Sequence, residues 1–170
     1  MGKDEKAALK LTIELVPSTS WWKNLRAKIE KEKWDEVRRS TYAKYDYKCG
    51  ICGSKGRMNC HELWEYNDVS HVQKLKGFIA LCDMCHHVKH IGLVGILASE
   101  GKLDYDGVVQ HFMRVNNCTR EKFEKHKNKA FEIWEERSKY KWKLETEEAL
   151  GNKAQRADMN GQKKLGEFLE

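Results

Sequence analysis

The sequence predicts an α+β protein in which a compact, metal-rich centre is surrounded by several α-helices. Three observations carry that expectation. Two CxxC pairs, "CGIC" at Cys49 and Cys52 and "CDMC" at Cys82 and Cys85, bracket a stretch of glycine, histidine and short apolar runs. Segments with apolar residues at helical spacing flank that stretch on both sides. Two short runs, "LKLTIELV" and "YKWKL", offer a strand pair from the N- and C-terminal parts. A chain of 170 residues fits one domain, with enough volume for a real core. We therefore expect an N-terminal tail over 1–9, one domain over 10–144 with its metal-rich core at 49–90, and a flexible tail over 145–170.

Taken in chain order, "LKLTIELV" alternates Leu11, Ile13 and Leu15 with polar neighbours, the pattern of a half-buried strand. Pro17 ends it, and "STS" supplies hydroxyl caps for a helix whose Trp22, Leu25 and Ile29 recur at helical spacing. A second helix carries Trp34, Val37 and Tyr45. Its end, "RRSTYAKYDYK", reads as a solvated face with aromatic edges, or as a patch that meets phosphates. Beyond the metal-rich centre, "GLVGILASE" completes a helix begun near Asp83. Asp104 or Asp106 caps a helix bearing Val108, Val109 and Phe112. Thr119 starts a long charged helix with Phe123, Ala130, Phe131 and Trp134 in one stripe, which is a core pattern. "YKWKL" is expected to close the fold as a strand beside the first one. After Leu144 the apolar pattern fades.

Composition narrows the class of function. No apolar run approaches the length of a membrane span, and "MGKDEKAALK" lacks the apolar stretch of a signal peptide. A cytoplasmic location is expected, with reduced thiols. Six cysteines there read as metal ligands before disulfides. A formal net charge of +6 permits nucleic acid as a partner.

The two knuckles present four thiolates, which suit the tetrahedral preference of zinc. Cys49, Cys52, Cys82 and Cys85 are therefore expected to hold a structural Zn²⁺ that staples both ends of the intervening segment. Gly50 and Gly53 let the first knuckle turn its amides toward the sulfurs. Cys118 lies outside the pattern and reads as a small core residue. His86 and His90, four apart on a helix, project from one face and can share an ion. His87 points elsewhere, to solvent or to a phosphate.

At "CGICG", "NCHELW" and "FIALCDMCHHVKH" the chain resembles the HNH endonucleases, over about a quarter of its length and with the motifs in the family's order. The resemblance implies a ββα-metal core, a two-stranded hairpin and a helix around one divalent cation, stapled by the four-cysteine zinc. It implies a phosphodiester hydrolase, nicking or cleaving DNA, with RNA as the alternative substrate. Residue by residue, His61 corresponds to the general base, His86 to the family's final metal histidine, and His90 to the extra ligand of its H-x-x-x-H branch. The catalytic ion would be Mg²⁺, Mn²⁺, Ni²⁺ or Zn²⁺. The family's ligand before the base is usually Asp or His. Cys60 holds that place, which makes it a candidate ligand and favours a softer ion than magnesium. The family's middle Asn has no counterpart. Gly77 lies near its slot, and His71 is a candidate for orienting the base.

A neutral imidazole can take a proton from water near neutral pH, and a metal ion offsets charge on the phosphate and on the departing oxygen. Two rival readings need less. A zinc-ribbon module could grip nucleic acid without cutting it, and a structural protein could dock partners through its long charged helices. One active site makes one cut strand per protomer the natural product, so double-strand breaks would suggest a homo-oligomer, a dimer.

Overall fold

A long antiparallel hairpin organises the structure. Its strands are β1, Met58–Asn67, and β2, Val72–Cys82, in register from Met58↔Cys82 to Asn67↔Val72. The register shifts between Leu63 and Trp64, where Leu63 faces Gly77 and Trp64 faces Leu75, so Lys76 is the extra residue of a bulge. Gly77 beside it has φ of 150°, which a glycine adopts without strain. At the hairpin tip Asn67 Oδ1 accepts from the Val69 and Ser70 amides at 3.1 and 2.9 Å, an Asx turn that closes the loop.

The computed structural model describes residues 8–21 and 29–150, and its class is α+β, a three-stranded sheet with helices packed around it. The helices among these residues are α1 (Ser18–Trp21), α2 (Lys31–Lys44), α3 (Asp83–Lys89), α4 (Ile91–Ser99), α5 (Tyr105–Asn116), α6 (Arg120–Arg137) and α7 (Glu147–Leu150). The third strand, β3 (Lys143–Glu145), pairs parallel with β2 at Val72↔Lys143 through Lys74↔Glu145. None of these helices is long and apolar enough to cross a membrane. The expected helix positions Trp22 and Leu25, and residues 151–170 of the expected tail, lie outside the described residues.

Two apolar clusters sit on the hairpin. The larger joins Leu11 and Ile13 to Leu81, Cys85, Val88, Val109, Phe112 and Phe123. Phe112 and Phe123 meet edge to face at 5.1 Å between centroids, locking α5 to α6. The smaller cluster contains Val37, Cys60, Leu75 and Leu150, with Trp34 of α2 packed edge to face on Phe78 at 5.9 Å. The caps expected at Asp104 and Thr119 are present: Asp104 Oδ1 accepts from Gly107 N at 3.1 Å, and Thr119 Oγ1 from Lys122 N at 3.3 Å.

The structure corrects four expectations. The "LKLTIELV" segment buries Leu11 and Ile13 as its alternation demands, but it is not a strand of the sheet. Helices satisfy its backbone instead: Asn116 Oδ1 accepts from Lys10 N and Leu11 N, His126 Nε2 from Ile13 N, and Trp134 Nε1 donates to Val16 O. "YKWKL" does end in a strand, but it pairs with β2 and not with the N-terminal segment. The helix expected from Asp83 through Ser99 is broken at His90, with φ of −106° and ψ of 39°. Cys85, Val88, Ile91 and Val94 are all buried. On one straight helix, Cys85 and Val94 would lie about 180° apart, so the break is what lets both ends of the run face the core. Finally, packing continues beyond Leu144: Leu150 of α7 is 8% exposed and closes the smaller cluster.

Candidate metal centre

The first knuckle is a tight turn. Cys49 N donates to Ser54 O at 2.9 Å, Gly53 N to Cys49 O at 2.9 Å, and Gly53 takes φ of 75°. Gly50 is required for space. A Cβ there would lie 2.6 Å from the Tyr45 ring and 2.9 Å from Ile79 Cγ1. Its amide ties the knuckle to the hairpin through Ala80 O at 2.8 Å. The second knuckle spans the end of β2 and the start of α3, where Cys82 Sγ accepts from Cys85 N at 3.5 Å as a helix cap.

Together the knuckles bring Cys49, Cys52, Cys82 and Cys85 within 4.8 Å of one another, as the sequence leads one to expect. None of the six cysteines is in a disulfide. Cys52 and Cys82 lie 3.7 Å apart, sulfur to sulfur. A tetrahedral zinc with bonds of about 2.3 Å separates its sulfurs by about 3.8 Å, so the donor set fits that ion. Hydrogen bonding from Cys85 lowers the Cys49 pKa to about 4, and that bond together with burial pushes Cys85 upward. Thiols this close cannot all ionise without a cation among them. The four cysteines therefore form a group that can hold a structural metal such as zinc.

The next helical residue opens a second group. His86 of α3 and His90 at the α3–α4 break meet His61 of β1, with potential donor atoms within 4.8 Å. Ring centroids are 5.5 Å apart for His61 and His86, 5.0 Å for His61 and His90, and 4.6 Å for His86 and His90. His61 is buried, whereas His86 and His90 are half-buried. His61 Nε2 lies 3.1 Å from Glu14 Oε2. Its Nδ1 is buried and has no hydrogen-bond partner among the described residues. Orphaned buried nitrogens are costly, and one on a ring that lies beside two further imidazoles fits a metal ligand.

Glu14 also accepts from Lys89 Nζ, and Lys89 in turn reaches Thr12 Oγ1 at 3.0 Å. Lys89 is 4% exposed, so its charge needs this pairing. Burial raises the Glu14 pKa, but the His61 bond and the Lys89 ammonium outweigh it and hold the carboxyl down to about 2. Sequence reasoning missed both residues. The one available signal was the alternation itself, which sets Thr12 and Glu14 on the face opposite Leu11 and Ile13. His111 was missed as well: its Nε2 is 3.1 Å from Cys85 Sγ, placed to donate to a thiolate. Nothing in the sequence ties it to the knuckle.

Other expected residues lie elsewhere. Cys60 is 2% exposed and belongs to the apolar cluster of Val37, Leu75 and Leu150, so it is not brought to the histidines. Neighbouring strand residues face opposite sides, which separates Cys60 from His61. His71 sits at the hairpin tip, stacked on Tyr140 at 4.1 Å, and does not orient His61. Gly77 serves the bulge. His87 does not belong to the three-histidine group, and its Nδ1 is buried with no hydrogen-bond partner among the described residues.

A cavity of about 220 Å³ borders the histidines, lined in part by Glu14, His61, Glu62, Trp64, His90 and Arg137. A second, apolar cavity of about 330 Å³ also touches Glu14 and His90. Compared with known proteins, the chain matches no family model, no curated protein and no solved structure.

Proposed function

We propose that this protein is a metal-dependent endonuclease of the HNH type that hydrolyses phosphodiester bonds in DNA. The observation that carries this reading is the convergence of His61, His86 and His90 on a hairpin–helix unit stapled by four cysteines. Three imidazoles, two of them half-exposed, leave coordination positions open, as catalytic sites do and closed structural sites do not. A divalent ion bound there would supply Lewis-acid stabilisation of the phosphate and of the leaving oxygen.

The geometry favours one change of role. His61 was expected as the general base, but its ring is packed beside the two other histidines and its Nδ1 is buried, with no hydrogen-bond partner among the described residues, a setting that suits a ligand better than a base facing water. Glu62, next in β1, lines the cavity beside His61 and His90. Arg137 borders the same cavity, where it can meet phosphate, although its guanidinium also forms a bidentate pair with Asp68 at 2.7 and 2.9 Å.

Plasmid nicking in Mg²⁺, Mn²⁺, Ni²⁺ and Zn²⁺ tests the reading. The expected result is nicking by the parent protein with at least one of these ions and none by His86→Ala. Duplex binding should weaken steeply with salt, as counterion release requires. Salt-sensitive binding without cleavage under any ion would point to a zinc-ribbon binding module.

A further inference from the structure

The N-terminal segment reaches the three-histidine group through one side chain. Glu14 places Oε2 at 3.1 Å from His61 Nε2 and Oε1 on Lys89 Nζ, and its own amide donates to Lys89 O at 3.1 Å. We infer that Glu14 is a positioning residue of the histidine centre: it holds the His61 proton on Nε2, leaving Nδ1 for a divalent metal, while Lys89 locks the carboxylate in place. This rests on the reading of His61, His86 and His90 as a metal site.

The chemistry dictates the tautomer. An ionised carboxylate only accepts, so the nitrogen facing Glu14 must carry the hydrogen. The other nitrogen then keeps its lone pair, and that nitrogen is the buried one with no hydrogen-bond partner among the described residues. Lys89 is nearly inaccessible and has two oxygens on its ammonium, Glu14 Oε1 and Thr12 Oγ1, both from the same segment. The segment is in turn fastened to α5 by Asn116 and to α6 by His126 and Trp134. Chain outside the hairpin and α3 thus sets the orientation of a ligand inside it. Carboxylates behind metal-bound histidines raise ligand basicity and fix the ring, and losing one typically costs about 10- to 100-fold in metal affinity.

A purely structural role predicts something different, since Glu14 would then serve only to neutralise Lys89. Two variants separate the roles: Glu14→Gln, which keeps the shape and loses the charge, and Glu14→Gln combined with Lys89→Met, which also removes the buried cation. Zinc-loaded protein would be titrated with Co²⁺ by calorimetry, with ¹⁵N shifts reporting the His61 tautomer and melting temperature reporting the fold. Positioning predicts Co²⁺ affinity about 10- to 100-fold weaker in both variants, with His61 no longer confined to the Nε2–H form. Parent-like affinity in the double variant, whether or not Glu14→Gln alone folds, overturns the inference and leaves the metal site standing. A parent protein that takes up no second ion removes the metal-site reading itself, and the inference with it.

Discussion

Cys85 and His86 are consecutive residues of α3, yet they serve different groups. Cys85 is fully buried among the four thiols, and His86 is half-buried between His61 and His90. Successive helical residues point about 100° apart, so one short helix joins both clusters rigidly. A metal in the thiol group therefore steadies the histidine group without belonging to it.

Removing that metal should loosen the fold. Chelation, or Ser in place of Cys49, Cys52, Cys82 or Cys85, should lower the melting temperature markedly, because binding energy at a structural site is folding energy. Metal analysis with calorimetric melting checks this; a fully folded protein that contains no zinc would refute it.

The histidines should behave otherwise. His61→Ala, His86→Ala and His90→Ala should each weaken the second ion and reduce nicking at least tenfold, in line with the loss of a ligand. Each should keep its cysteine-bound zinc. His87→Ala should cost only a little DNA affinity. The comparison needs nicking rate and metal content for each variant. Normal cutting by both His61→Ala and His86→Ala would end the nuclease reading.

Gly50→Ala tests the packing of the first knuckle. The added methyl would meet the Tyr45 ring at 2.6 Å and Ile79 at 2.9 Å, so one of them must move. Overpacking of this kind costs about 1–3 kcal/mol. Urea unfolding should show that loss, whereas Gly95→Ala, with nothing within 4 Å of its added methyl, should not.

Acid should release the N-terminal segment. His126 Nε2 accepts from Ile13 N at 2.9 Å, which requires the neutral ring. Burial, followed by Lys89 and Lys122, holds the His126 pKa below its ordinary 6.5. The unfolded chain therefore binds its proton at higher pH than the folded chain does. This contribution is intact above 6.5 and is lost as the pH falls from there toward the lowered value. Stability measured from about pH 7.5 to about pH 5.5 should fall more in the parent than in His126→Gln, which does not titrate. Parallel curves would show that His126 has no part in it.

Much of this was legible in the sequence, because local rules decide it. The CxxC spacing announces four thiolates, and the caps at Asp104 and Thr119 follow from side-chain chemistry within one turn. The i, i+4 relation of His86 and His90 also survives, although His90 turns out to be the break between two helices. Other features depend on which distant surfaces meet. Cys60 could be weighed as a ligand only until the hairpin set it on the face opposite His61, among apolar residues. Leu150 lies beyond the last clear apolar pattern, and only its place against Leu75 and Val37 explains its burial. Glu14 and His61 are 47 positions apart, and no spacing rule links them. The sequence by itself thus determined the grouping of the four thiols and the helix starts at Asp104 and Thr119, whose causes lie within a few residues. Only the tertiary structure decided that an extended segment with no strand partner would be gripped by α5 and α6, bringing one carboxylate to one imidazole. The reason is that its backbone hydrogen bonds had to be met somewhere, and the side chains that meet them come from more than a hundred residues away.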